Sequence, residues 1–336
     1  MANSLIFHDN PRLLVICVAR FGDTLLITPT VAALKERWPN SHLTVMAHPG
    51  RVEVLRHLDC IDHLAGITKH RARWLGWWPG RRFDAALIYG EEPTLARFAR
   101  RVARQVIGFA GRNKPAYDAA LTIAVARPEQ PMLAAAERAL LLEPLGVVAR
   151  SWHLSYVTSA RERAEALDFI ARRGWKNRRL VGFQLQSFPT KAYRDWPVGH
   201  FTELAQRLLV RYPDIQIVLM GGSESQALAV QLAHALGERV DSVAGIFSMR
   251  QNAALIAQLA LYVGVDTGPT HLAGALDVPM VAMYHCCHPG RFLAPQAHPA
   301  LTVVEHPAVQ ISRDASMAEI SVDTIFSAAC AYLDKK

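Results

Sequence analysis

The chain has 336 residues, 51% hydrophobic and 20% charged, with 37 Lys/Arg against 29 Asp/Glu and a formal net charge of +8. Five cysteines (Cys17, Cys60, Cys286, Cys287, Cys330) form an odd set without framework spacing, which points to reduced thiols and a cytosolic compartment rather than a disulfide scaffold. The N-terminus lacks a basic-then-apolar leader, and the longest apolar runs are strand-length or broken by Asp266 and Asp277, so no membrane-spanning helix is expected.

The alternation of elements starts at once. Arg12–Val18 is an apolar run of strand length, Thr24–Trp38 has helical apolar spacing and stops at Pro39, His42–Met46 is a strand, and Asp84–Tyr89 is another. Between the last two lies a basic insert, Lys69 to Arg82, in which three tryptophans are interleaved with five Lys/Arg. A second cluster, Arg97, Arg100, Arg101, Arg104, Arg112 and Lys114, follows in a stretch without acids. Residues 1–157 hold 20 Lys/Arg against 13 Asp/Glu, whereas residues 158–336 hold 17 against 16, so the first part carries nearly all the excess. Such clusters attract phosphates, nucleic acid or anionic lipid, and no nucleic-acid motif accompanies them. The tryptophans fit either an interfacial patch or a basic loop whose rings are tucked into the core.

A helical stretch over Thr158–Arg173 leads into a second series. Leu180–Leu185, Ile215–Met220, Leu261–Val265 and Met280–Tyr284 read as buried strands, separated by helices near Pro197–Arg211, Ser223–Leu236 and Gln251–Ala260; Ser223 with Gln226 suggests a capping box. Two such series predict an α/β protein of two Rossmann-like, doubly wound domains facing a central cleft, residues 1–157 and 158–336.

Open parallel sheets bind ligands beyond the carboxyl ends of their strands. The loop after the first strand lacks the Gly-x-Gly-x-x-Gly dinucleotide fingerprint and instead sets Asp23 beside Gly22 at a helix start, as a helix cap or as a functional carboxylate. After Leu261–Val265 comes Asp266-Thr-Gly-Pro-Thr-His271, where Gly268 permits a tight turn, Pro269 suits a first helical turn, and the amides of the helix start favour an anion. Taken alone, His271 is an ordinary helix residue or a ligand-binding one. His285-Cys-Cys-His288 has the wrong spacing for a zinc site, and it reads better as a wall of the site, with Arg291 as a further phosphate contact.

Gly22-Asp23 with Thr28-Pro29, Arg194-Asp-Trp196-Pro197, and Asp266-Thr-Gly-Pro-Thr-His271-Leu-Ala-x-Ala-Leu276 occur in this order across most of the chain. Together they resemble the lipopolysaccharide heptosyltransferases, glycosyltransferase family 9. The resemblance implies GT-B architecture and inverting transfer of heptose from ADP-heptose to the lipopolysaccharide inner core, with no cofactor and no bound metal. It makes Asp23 the general base. Asp266, Thr267, Gly268 and His271 become donor-binding residues. Where the family usually has Lys two residues before Trp-Pro this chain has Arg194, with Lys191 in reserve; Ser187, Thr190 and Glu224 are further donor-side candidates. Lys69, Arg71, Arg73, Arg97, Arg101 and Arg104 would take the anionic acceptor. The implied setting is cytoplasmic, peripheral to the inner membrane, without nucleic acid. Another GT-B transferase or an epimerase using a different nucleotide sugar, and a non-catalytic sugar-nucleotide binder, share the same expected fold.

Overall fold

The computed structural model describes residues 9–77 and 82–335. It divides into two compact units, Met1–Val157 and Thr158–Lys336. Unit 1 contains strands β1 (Arg12–Cys17), β2 (His42–Ala47), β3 (His63–Gly66), β4 (Phe83–Tyr89), β5 (Ala103–Phe109) and β6 (Ile123–Val125). They form one parallel sheet in the order β3-β2-β1-β4-β5-β6. Leu13 through Ile16 of β1 are fully buried, as a strand covered by helices on both faces requires. In register, Leu14 lies between Thr44 of β2 and Ala86 of β4.

Unit 2 contains β7 (Arg179–Gln184), β8 (Ile215–Met220), β9 (Val240–Ser242), β10 (Leu261–Val265), β11 (Met280–Tyr284) and β12 (Leu301–Glu305). Its parallel sheet runs β12-β11-β10-β7-β8-β9. Counted within each unit, both sheets have the doubly wound order 3-2-1-4-5-6, although the two sequences show no visible repeat. The chain leaves the first strand of each sheet in one direction and returns to its other side for the fourth. The carboxyl ends of β1 and β4, and of β7 and β10, are therefore the topological switch points at which open sheets place ligands.

Local chemistry shifts several expected boundaries. The single helix expected over Thr24–Trp38 is two, Phe21–Leu25 and Thr28–Arg37, because Pro29 has no N–H with which to continue the first; the Thr28 hydroxyl bonds the Leu25 carbonyl at 2.8 Å instead. The capping box expected from Ser223 and Gln226 does not form: Ser223–Ser225 is a 3₁₀ turn and the α-helix begins at Gln226 without a side-chain cap. Capping boxes occur instead at Ser159 with Glu162 and Ser248 with Gln251. Those two helices are pinned together by Arg250, which donates to Glu162 at 2.7 and 2.6 Å in a largely buried pair. Among the described residues no helix is long and apolar enough to cross a membrane. All five cysteines are free thiols.

Candidate functional site

In unit 1 the switch point is occupied by Asp23, in the first turn of the helix Phe21–Leu25 that leaves β1. The helix has no side-chain cap, so the capping alternative for Asp23 is set aside. Its carboxylate Oδ1 lies 2.5 Å from Arg138 Nη2, on the helix Ala134–Ala139. The Arg138 carbonyl in turn accepts a hydrogen bond from Tyr89 Oη at the end of β4, at 3.0 Å. A charge-assisted bond of this length fixes the orientation of a carboxylate that stays partly open to solvent. Beneath it Cys17 is buried, and burial pushes its thiol up to about 12, which removes it as a nucleophile. Thr28 is buried too and accepts the Ser155 amide at 3.0 Å, so the Thr28-Pro29 step is structural.

The basic residues of unit 1 separate into groups. Lys69, Arg73, Arg97 and Arg101 line a concavity of about 520 Å³, together with His70, Trp77, Glu92 and Thr94. Arg71 and Arg104 do not line it; Arg104 sits at the amino end of β5, 3.8 Å from Asp84. Lys114 pairs with Glu91 at 3.4 Å and so leaves the field that composition assigned to it. Trp74 and Trp77 are 82% and 70% exposed, which decides against their being tucked into the core; Trp78 and Arg81 of the same insert lie outside the described residues.

In unit 2 the loops after β7 and β10 meet at the switch point. Trp196 is sunk in the core, its indole N–H donating to the Ile320 carbonyl at 2.9 Å, and Pro197 opens the helix Val198–Arg211. That anchor places Arg194, whose Nη1 lies 2.6 Å from Asp266 Oδ2. Arg194 Nε also donates to Tyr193 Oη at 3.3 Å, and Tyr193 Oη lies 2.8 Å from His288 Nε2. Arg194 can only donate, so the Tyr193 hydroxyl accepts from it and keeps its own proton available for His288. Burial, with the Arg194 charge beside it, pushes His288 down to about 4, so its ring is uncharged near neutral pH.

The elbow itself is built on threonines. The helix Gly268–Ala275 has Thr267 at its N-cap and Pro269 in its first turn. Thr270 Oγ1 bonds the Val265 carbonyl at 2.5 Å and lies 3.1 Å from buried Tyr262 Oη and 3.3 Å from Thr267 Oγ1. Gly268 is not in the left-handed region; it is the first helical residue, and its amide has no intrahelical acceptor. The amides of Thr270 and His271 turn back to the Thr267 carbonyl, so the elbow presents fewer donors than a bare helix start. His271 Nε2 lies 4.0 Å from Asp266 Oδ1. Close packing holds the strand below, for a Cβ on Gly264 would lie 2.8 Å from Tyr262 Oη.

The remaining donor-side candidates divide. Lys191 extends its ammonium over the Tyr193 ring, 5.9 Å from the centroid, beside Arg194. Thr190 is exposed at the start of that turn, and Glu224 is exposed beyond β8. Ser187 is spent on the loop, its hydroxyl donating to the Lys191 carbonyl at 2.9 Å and its amide to Asp195 at 2.7 Å. Glu305 accepts the backbone amide of Arg291 at 2.8 Å, and the exposed Arg291 guanidinium lies 3.9 Å from the same carboxylate. One ligand atom from each of His285, Cys286 and Cys287 lies within 4.8 Å of the others. Yet both ring nitrogens of His285 are engaged, Nε2 with the Ala315 carbonyl at 2.9 Å and Nδ1 with the Cys287 amide at 3.1 Å, so its ring braces the wall. Arg138, Tyr193 and His288 are the contributors that sequence reasoning missed as individual residues.

The sequence model described as "Glycosyltransferase family 9 (heptosyltransferase)" matches residues 80–318. The chain belongs to this family. Among the curated proteins similar to this family 9 glycosyltransferase is lipopolysaccharide heptosyltransferase 3 of Escherichia coli, 23% identical over 78% of this chain and 80% of the relative. A family 9 glycosyl transferase from Veillonella parvula shares the fold with a TM-score of 0.83, 21% identity and coverage of 98% of this chain and 99% of that one. The E. coli ADP-heptose lipopolysaccharide heptosyltransferase II shares it at 0.76, with 20% identity over 96% and 99%. The two doubly wound sheets of this glycosyltransferase thus make a GT-B-like fold, shared with those structures.

Proposed function

We propose that this glycosyltransferase moves heptose from ADP-heptose to a hydroxyl of the lipopolysaccharide inner core with inversion, unit 1 binding the acceptor and unit 2 the donor. The observation that carries the proposal is the Arg194–Asp266 pair at the unit 2 switch point, with Lys191 and the Gly268 amide beside it, a cationic and hydrogen-bonding frame suited to a diphosphate. A relative named for lipopolysaccharide and a fold neighbour named for ADP-heptose point the same way.

In this reading Asp23, held by Arg138, takes the proton of the acceptor hydroxyl as its oxygen attacks the anomeric carbon. The bond from that carbon to the diphosphate breaks on the opposite face, and the electron pair leaves with ADP. Arg194, Lys191 and the elbow amide meet charge that grows on the departing phosphate, so they favour the transition state over the ground state. Asp266, through Arg194, positions that guanidinium, and Thr267 and His271 hold the sugar or phosphate side. The same cations perform the neutralisation that a divalent ion would otherwise supply. Lys69, Arg73 and Arg97 around the unit 1 concavity suit an acceptor bearing phosphate or carboxylate groups. A lipid-linked acceptor sets the enzyme at the inner face of the cytoplasmic membrane, peripherally.

The test is incubation with ADP-heptose, chelator and a heptose-deficient lipopolysaccharide core, read by mass spectrometry. A gain of one heptose is expected. Transfer only from a UDP- or GDP-sugar would refute the donor assignment, and transfer abolished by the chelator would refute metal independence.

A further inference from the structure

We propose that the Trp74–Leu75–Trp77 edge of unit 1 is a foot that seats on an anionic phospholipid surface. The helix Lys69–Trp74 and the turn after it leave both tryptophans and Leu75 open to solvent. Apolar surface of that size is costly to leave in water, and specific contacts keep it there. Gly76 lies at φ +81°, and a Cβ on it would come 2.8 Å from Val102 Cγ1, so the turn that carries Trp77 outward requires glycine. From the helix Pro93–Val102, Arg101 Nη2 donates to the carbonyls of Ala72 at 2.5 Å and Leu75 at 2.8 Å, and its guanidinium lies 4.7 Å from the Trp77 ring centroid. The Trp77 indole N–H already donates to the Arg73 carbonyl at 2.9 Å, so the ring can enter an apolar layer without an unpaired donor.

The surroundings select the occupant. Lys69, Arg71 and Arg73 are exposed on the same helix and Arg97 and Arg100 on its neighbour, while residues 69–77 and 93–117 contain no Asp or Glu. Rings at headgroup depth with cations against anionic headgroups are the composition of an interfacial element. A second copy fits poorly, because a two-fold contact lays each patch on itself and brings like charges together. The inference rests on the lipopolysaccharide reading for one thing only, the reason an acceptor-handling unit would meet a membrane.

The experiment is co-sedimentation of the full chain with vesicles of phosphatidylcholine alone or with about one third phosphatidylglycerol. The anionic vesicles are expected to bind the protein at low salt and release it at high salt, with Trp74→Ala weakening binding about tenfold and Trp74→Phe retaining it. Trp74→Ala should still transfer to a water-soluble, delipidated core acceptor as the wild type does. Equal vesicle binding by Trp74→Ala overturns the foot. So does a change from dimer to monomer in that variant by light scattering, which would assign the surface to a second copy, or tighter binding of a single-stranded oligonucleotide than of the vesicles. If vesicle binding depends on Trp74 while the wild type transfers nothing to the soluble acceptor, the foot stands and the transferase reading fails.

Discussion

Arg194 answers to Asp266 and Tyr193 at once, which uses two of its five N–H groups and leaves three for the diphosphate of the proposed donor. Lysine has no planar fork with which to meet both partners and a diphosphate, so Arg194→Lys should weaken ADP binding about tenfold by calorimetry. Lys191→Ala should weaken it less; the reverse ranking would make Lys191 the principal phosphate ligand. His288 gives a pH signature. Its nitrogen titrates at about 4 in the folded chain against an ordinary 6.5, so above 6.5 it is neutral in both states and costs nothing. Below 6.5 the unfolded chain takes up a proton that the folded one refuses, and stability falls as pH drops toward 4. His288→Gln should remove part of the melting-temperature slope between pH 6.5 and 4; an unchanged slope would show that His288 is not its source. At this scale the placement of Asp23, Arg194 and Asp266 at the ends of the central strands was legible, because motif and fold agree there. The sequence was silent on Arg138, because nothing in the helix Ala134–Ala139 announces a partner 115 residues away.

Elements were legible in proportion to their burial. β1, β7, β8, β10 and β11 are continuous apolar runs packed on both faces, and their periodicity identified them. β3, β6, β9 and β12 are short or partly exposed strands toward the sheet edges, with little pattern to find. β5 was not read as a strand because Arg104, second in it and exposed, was taken into the basic cluster, although Val106–Phe109 is buried. The helix pair joined by Arg250 and Glu162 supplies a prediction at this scale. Arg250, with burial opposing it, holds the Glu162 carboxyl down to about 2 from an ordinary 4.5. The pair's contribution is therefore present above pH 4.5 and lost as pH falls through 2. Glu162→Gln removes the charge that faces buried Arg250 at 2.6 Å and should cost about 3 kcal/mol at pH 7 by denaturant unfolding, with the difference shrinking below pH 4. A cost under about 0.5 kcal/mol would show the pair to be dispensable.

For the whole molecule, the uneven charge bears on the proposed division of the two substrates. If the basic unit 1 takes the acceptor and the nearly neutral unit 2 the donor, as proposed, acceptor capture should depend on ionic strength and donor binding should not. Raising salt from about 0.05 to 0.3 M should raise the acceptor KM several-fold and move the donor KM less than twofold; equal sensitivity of the two would contradict the division of labour. Two doubly wound units could be read from alternating patterns, since parallel strands need helical crossovers and leave that rhythm in the sequence. The partition of the basic residues could not, because only folding shows that Lys114 and Arg104 turn to acids while Lys69, Arg73 and Arg97 ring a concavity.

The account turns on Asp23. The measurement that tests it most directly is single-turnover transfer by Asp23→Asn and wild type from ADP-heptose to the lipopolysaccharide core, with ADP-heptose affinity measured alongside. Loss of a positioned base should slow transfer by about 10² to 10⁴ while donor affinity stays within about twofold. Transfer at the wild-type rate would contradict the mechanism, whatever the sugar moved.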